Sequence, residues 1–167
     1  NKNNIKIIIN RGVIEFKNID FKYPKSSKYV FRNFNLKIVP GESVAIIGQI
    51  GSGKTTLIKL LLKLNTYNSG KILIDNQEIS KCDEDLIRYY ISYVPQNPKL
   101  FNRSVYDNMV YGIKNIKHED VTNLLKKFKV NDMFNSLRDG LETNVGKNGE
   151  KVSGGQRQII FLIRCIL

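Results

Sequence analysis

The sequence predicts an α/β domain, and three observations carry that prediction. Short apolar runs alternate with stretches of helical spacing; a glycine-rich turn joins one such run to a helix near residue 50; and the last residues form an apolar helix opened by Ser-Gly-Gly. The 167 residues are one domain's worth of chain. No Met opens it, and no Gly or Asn closes its final helix, so it reads as a piece of something longer. With 41% hydrophobic and 25% charged residues the composition is that of a soluble globular domain. No apolar run approaches the roughly 18 residues of a membrane span, and no signal peptide is visible.

The elements follow in order. Residues 12–23 alternate apolar and polar side chains, as a half-buried antiparallel strand does. "NFNLKIVPGESVAIIG" reads as a strand, a turn at Pro40 and Gly41, and a second short strand from Val44 to Ile47. "TTLIKLLLKL" has leucines at helical spacing, and "SGKILIDNQEI" reads as a hairpin around Asp75 and Asn76. The apolar centre of "YISYVPQNP" suggests another strand, and residues 103–138 are helical in pattern. Neither internal repeats nor low-complexity linkers occur beyond the Asn/Lys-rich first ten residues.

Charge and cysteines exclude more than they assign. The net charge of +12 comes from lysines scattered through every segment, with no basic stripe interleaved with aromatics, so no dedicated nucleic-acid site is expected. Cys82 and Cys165 lie outside any metal-binding spacing and read as free thiols of a reducing compartment. His118, alone among charged neighbours, reads as a solvated surface residue.

The chemistry begins at "IIGQIGSGKTTLIKLL". Gly48, Gly53, Lys54 and Thr55 fit G-x-x-x-x-G-K-[ST] between an apolar run and a helix, the context that pattern requires. Glycines at 48, 51 and 53 let successive N–H groups converge on one anion, and the following helix N-terminus favours negative charge. Lys54 is a cation where the helix dipole disfavours one, a conflict that a phosphate chain resolves. Thr55 offers a hydroxyl to Mg²⁺, which prefers oxygen ligands. The loop alone indicates a nucleoside triphosphate or related phosphate ligand. Near the end, "VSGGQRQ" places Ser153 as a helix N-cap and leaves the amides of Gly154 and Gly155 uncovered, a second anion-facing helix head.

Together these motifs resemble the ATP-binding cassette (ABC) proteins. "VSGGQRQ" is similar to the family's signature sequence, with Val152 where Leu is usual. Gln96 in "YVPQNPKLF" resembles the family's Q-loop glutamine, whose oxygen approaches Mg²⁺ and the attacking water; on its own it is a polar turn residue between Pro95 and Pro98. Tyr23 in "FKYP" resembles the aromatic that stacks on adenine; on its own it is equally an edge-strand aromatic packed on the core. The wording of "ISYVPQNPKLFNRSVYDNMVYG" and "GLETNVGKNGEKVSGGQRQ" resembles the exporter branch, from about Val13 to Leu167. Lys147 departs from that branch, which usually has Glu there on a surface thought to meet the membrane domain.

The resemblance implies a P-loop NTPase fold with an antiparallel β subdomain, a RecA-like core and an α-helical subdomain, its C-terminal part missing. Residues 1–12 would be a linker and 13–167 a partial nucleotide-binding domain, with about 100–155 its helical subdomain. It implies ATP and Mg²⁺ as cofactors. Tyr23, Gly48, Gln49, Ile50, Gly51, Ser52, Gly53, Lys54, Thr55, Thr56, Gln96, Ser153, Gly154, Gly155 and Gln156 would contact nucleotide, with Thr55 and Gln96 at the metal and Lys54 and Gln96 catalytic. A second cassette would pair head to tail, and a transmembrane domain would precede residue 1 in the same polypeptide. The whole would work at the cytoplasmic face of a membrane, hydrolysing MgATP to drive export. This piece alone is expected to hydrolyse ATP barely and to fold poorly, because the family's next strand, ending in Asp-Glu, is not among these residues. A soluble ABC ATPase of nucleic-acid or translation type and a non-hydrolysing regulatory cassette are the alternatives.

Overall fold

The computed structural model describes residues 6–167. The chain divides into two compact units, Asn1–Ile91 and Ser92–Leu167.

The first unit is built on an antiparallel sheet of four strands, β1 (Ile14–Phe21), β2 (Phe31–Ile38), β3 (Ser69–Ile74) and β4 (Gln77–Glu78), in the order β2-β1-β3-β4. The alternation expected for residues 12–23 is present but shifts phase. Phe16, Ile19 and Phe21 are the buried aliphatic and aromatic positions of β1, so one extra residue intervenes after Phe16. Asn18 absorbs it in a left-handed conformation, φ 50°, where the register slips against both neighbouring strands. Opposite the bulge, a Cβ on Gly70 would stand 2.4 Å from the Asn18 carbonyl oxygen, so only glycine lets the two backbones approach. The hairpin expected at Asp75 and Asn76 is the β3–β4 turn, with both residues left-handed at φ 48° and 64°.

Helix α1 (Lys54–Leu61) presents Thr56, Leu57, Leu60 and Leu61 as one buried stripe. The three leucines join Phe16, Ile19, Phe21, Ile72 and Ile74 of the sheet in one apolar cluster. Each fully buried side chain of that kind contributes about 1.5–3 kcal/mol. Ile7 is buried in the same cluster, and the Asp75 carboxylate accepts hydrogen bonds from the amides of Asn10, Arg11, Gly12 and Val13 at 2.8–3.1 Å. Helix α2 (Glu84–Tyr90), capped by the Asp83 side chain on the amides of Asp85 and Leu86, is an element that sequence reading did not anticipate.

Two expected strands are not in ladders. Val44–Ile47 and the apolar centre of residues 91–95 pair with no strand among the described residues, and Ile47 is 93% exposed. An apolar run is only strand-forming until a neighbour supplies ladder hydrogen bonds, and neither run has one here.

The second unit is helical. The stretch expected to be helical at 103–138 breaks into α3 (Val105–Met109), α4 (His118–Lys127) and α5 (Asn131–Asn135). Left-handed Gly112 and Asn115 separate the first two, and Lys129 the next. The closing helix α6 (Gly154–Ile166) buries Ile160 and Ile163 against Val105, Met109, Val121 and Phe134. Leu162 and Ile166 remain exposed on its other side. His118 is exposed as expected, stacked on Tyr106 with ring centroids 3.6 Å apart and paired with Glu142.

Candidate functional site

The loop Gly48–Gly53 is shaped by its glycines and its lysine. Gly53, the N-cap of α1, is left-handed at φ 100°, and a Cβ there would meet Val30 Cγ1 at 2.6 Å and the Phe31 ring at 3.0 Å. No other residue fits. Gly51 is also left-handed, φ 84°, yet a Cβ on it would meet nothing within 4 Å, so the loop is bare on that side. Lys54 turns back over the loop, donating from Nζ to the carbonyls of Gly48 at 2.8 Å and Gln49 at 2.7 Å. Gln49, Ile50, Ser52 and Thr55 are exposed. Thr56 is buried, its hydroxyl 2.8 Å from that of Tyr23, whose ring packs edge-on to Phe21. Tyr23 is thus joined through Thr56 to the helix that the loop feeds.

The remaining candidates lie in the second unit. Ser153 caps α6: its hydroxyl accepts from the Gln156 amide at 3.1 Å, and the Gln156 side chain accepts in return from the Ser153 amide at 2.7 Å. Gln156 Nε2 also donates to the Met133 carbonyl at 3.0 Å. Gly154 and Gly155 are the first helical residues, whose amides have no acceptor within a helix. Here a Cβ would meet little: its nearest neighbours would be Arg157 Nη2 at 3.8 Å and Ser153 Oγ at 3.9 Å, and neither residue needs glycine torsions. Helical Gly costs about 1 kcal/mol against Ala. The chain's own packing does not ask for these two glycines, so what they provide is bare backbone.

Gly154 and Gly155 open on a cavity of about 690 Å³ that Gln96, Lys99, Lys147 and Arg157 also line. Arg157, whose role sequence reading did not assign, donates from Nη1 to the carbonyls of Gly149 and Val152 at 2.9 Å each, bracing the turn before α6. Lys99 and Lys147 have no acidic partner within the described residues. The structure thus brings Gly48–Thr56 together with Tyr23 in the first unit, and Gln96 together with Gly154 and Gly155 in the second.

Fold and loop together define an α/β cassette of the P-loop class. The sequence pattern of the ABC transporter family matches residues 31–167, and the chain belongs to that family. It is 38% identical over 156 residues to the mitochondrial iron-sulfur clusters transporter ATM1 of Gibberella zeae, covering 93% of this chain and 22% of that protein. It is 38% identical over 159 residues to the mitochondrial ATP-dependent permease MDL2 of Saccharomyces cerevisiae, covering 94% of this chain and 21% of that one. A solved structure of a bacterial Atm1-family ABC exporter with ATP bound matches at a TM-score of 0.92 and 30% identity, over 98% of this chain and 29% of its own. The chain therefore spans less than a third of each of these proteins. The likeness shows the ABC-cassette fold: the antiparallel sheet, the P-loop with α1, and the helical unit.

Proposed function

We propose that the chain is the nucleotide-binding cassette of an ATP-driven exporter. The observation that carries this reading is Lys54 at the head of α1, folded onto the carbonyls of its own loop. A cation there is opposed by the helix dipole, and two carbonyls are a weak substitute for an anion. Phosphate oxygens seated over the bare side of Gly51 would take the ammonium from Gly48 and Gln49 and satisfy the amides from Gly51 to Thr55.

The donor set also fits Mg²⁺ held with nucleotide. Among the described residues no cluster of three or more His, Cys, Asp or Glu could hold a metal alone; the exposed Thr55 hydroxyl of the first unit is a neutral oxygen donor of the kind Mg²⁺ takes beside phosphate, and the exposed Gln96 amide of the second unit is, separately, another. Held beside the phosphates, Mg²⁺ would neutralise phosphate charge. Tyr23 presents a ring to the base. The amides of Gly154 and Gly155, with the capped Ser153 and Gln156, face the nucleotide of a second cassette paired head to tail, so that binding closes the pair.

No helix among the described residues is long and apolar enough to cross a membrane. The membrane-spanning part belongs to a domain ahead of this one in the same polypeptide, as in exporters that combine both, and the cassette works at the cytoplasmic face. On this reading the chain alone binds MgATP and turns it over barely.

Calorimetric titration of MgATP into the whole gene product and its Lys54→Ala variant tests the reading. Loss of a charged hydrogen bond, worth about 1.5–3 kcal/mol, weakens binding about ten- to hundredfold. No binding by the unaltered protein, or equal binding by Lys54→Ala, would sink it.

A further inference from the structure

We infer that Asn108 and Arg164 are positioning residues that join α6, the helix headed by Ser153, to the segment Gln96–Phe101, so that a nucleotide gripped at the helix head is felt at Phe101. The inference rests on the nucleotide reading above and adds the route inside the second unit.

Asn108 is completely buried, and one side-chain amide holds both backbone groups of Phe101: Oδ1 accepts from the Phe101 amide at 2.9 Å, and Nδ2 donates to the Phe101 carbonyl at 3.0 Å. The same Nδ2 donates to the Ser104 carbonyl at 2.9 Å. The end of the Gln96–Phe101 segment is therefore pinned to α3 by a single residue. The backbone carbonyl of that residue accepts in turn from Arg164 Nε of α6 at 2.6 Å. A second line of contact runs parallel. The Arg164 guanidinium lies over the rings of Phe161 at 4.4 Å and Tyr111 at 5.7 Å, and Tyr111 packs on Phe101 with ring centroids 4.2 Å apart.

Arg164 is costly to hold there. Its Nη2 is buried without a hydrogen-bond partner, and burial holds the guanidinium below its ordinary pKa. An aliphatic side chain of similar volume would fill the space without desolvating a cation. What only a long planar donor provides is a directed bond from the body of α6 to the residue that pins Phe101. Because α6 is one unbroken helix from Gly154 to Ile166, displacement at its head moves Arg164 with it. Phe101 and Tyr111 are half exposed, so the far end of the link is a ring pair open to a partner.

Hydrogen exchange on the whole gene product, with and without MgATP, tests the link. In the unaltered protein MgATP slows exchange of the amides at 101–104 by about fivefold or more. In Arg164→Met, which keeps the packing and removes the donor, MgATP affinity stays within about twofold while the slowing at 101–104 falls below about twofold. Asn108→Ala gives the same result if it folds, and Arg164→Lys, which lacks Nε, does not restore the response. A response that survives in Arg164→Met, or its absence in an unaltered protein that binds MgATP, overturns the inference. An unaltered protein that binds no MgATP overturns the nucleotide reading itself, and the inference with it.

Discussion

Tyr23 Oη lies 2.8 Å from Thr56 Oγ1, tying the residues after β1 to the buried face of α1 beside the phosphate loop. Ring and hydroxyl can be separated by mutation. Tyr23→Phe leaves the Thr56 hydroxyl buried without its partner and lowers stability by about 1–3 kcal/mol, measured by denaturant unfolding. If the ring stacks on the base, the same variant keeps MgATP affinity within about twofold. Tyr23→Ala then weakens affinity about five- to hundredfold, the range of a lost base–aromatic stack.

Glycine to alanine changes at the two helix heads have opposite effects on stability. At Gly53 the left-handed torsion costs about 1–2 kcal/mol for any other residue, and the contacts with Val30 and Phe31 add to it. At Gly154 and Gly155 alanine is sterically free and raises helix stability by up to about 1 kcal/mol. Thermal unfolding separates the two cases. The stabilised Gly154→Ala and Gly155→Ala variants should nonetheless lose MgATP-dependent pairing, read by light scattering.

Gly70→Ala is expected to be among the most damaging single changes in the first unit. Its Cβ would stand 2.4 Å from the Asn18 carbonyl oxygen and 2.5 Å from that of Lys17, backbone atoms that cannot turn aside, with φ at +92°. A loss of about 2–4 kcal/mol follows from the strain and overpacking together. Loss of cooperative unfolding by circular dichroism checks it, set against Gly41→Ala at the turn after β2, which carries the same left-handed strain at φ 77° but meets nothing within 4 Å and therefore loses only about 1–2 kcal/mol.

Acid lability has a specific source at Asp75. The amides of Arg11, Gly12, Val13 and Asn10 hold its carboxyl well below the ordinary 3.8. A depressed carboxylate contributes stability that is complete above its ordinary pKa and is lost as pH falls through that value toward the folded one. Thermal stability of the chain should therefore drop as pH is lowered below about 4. Asp75→Ala should be less stable at neutral pH and lose less over the same window. Glu15, Asp20 and Glu78, also lowered by their hydrogen bonds, persist in both proteins, so the difference isolates Asp75.

The elements legible in the sequence were those whose signal is local. Strand β1 showed in its alternation and the β3–β4 hairpin in Asp75-Asn76, residues that tolerate left-handed torsions. Ser153 showed as a helix cap by residue type. Helix α2 escaped because it buries mainly Ile87 and so has no period, although Asp83 followed by Glu84 and Asp85 is a helix-start signal that could have found it. Val44–Ile47 had the composition of a strand, but pairing is a property of a neighbour and not of the run. At the candidate site the glycine loop was legible because its torsions are set residue by residue. Arg157 and Asn108 were not, since the carbonyls they hold, at Gly149 and Phe101, approach them only through tertiary packing.

The carboxylate at the tip of the β3–β4 turn also decides where force enters the molecule. Tension on the main chain ahead of Asn10 meets buried Ile7 and the Gln77 side chain bonded to both backbone groups of Ile8, then the four amides docked on Asp75, so it is taken up by the β3–β4 hairpin before it can peel β1 away. Anything that tugs on that end pulls against a staple in the hairpin, and the glycine loop beside α1 stays off the loaded line.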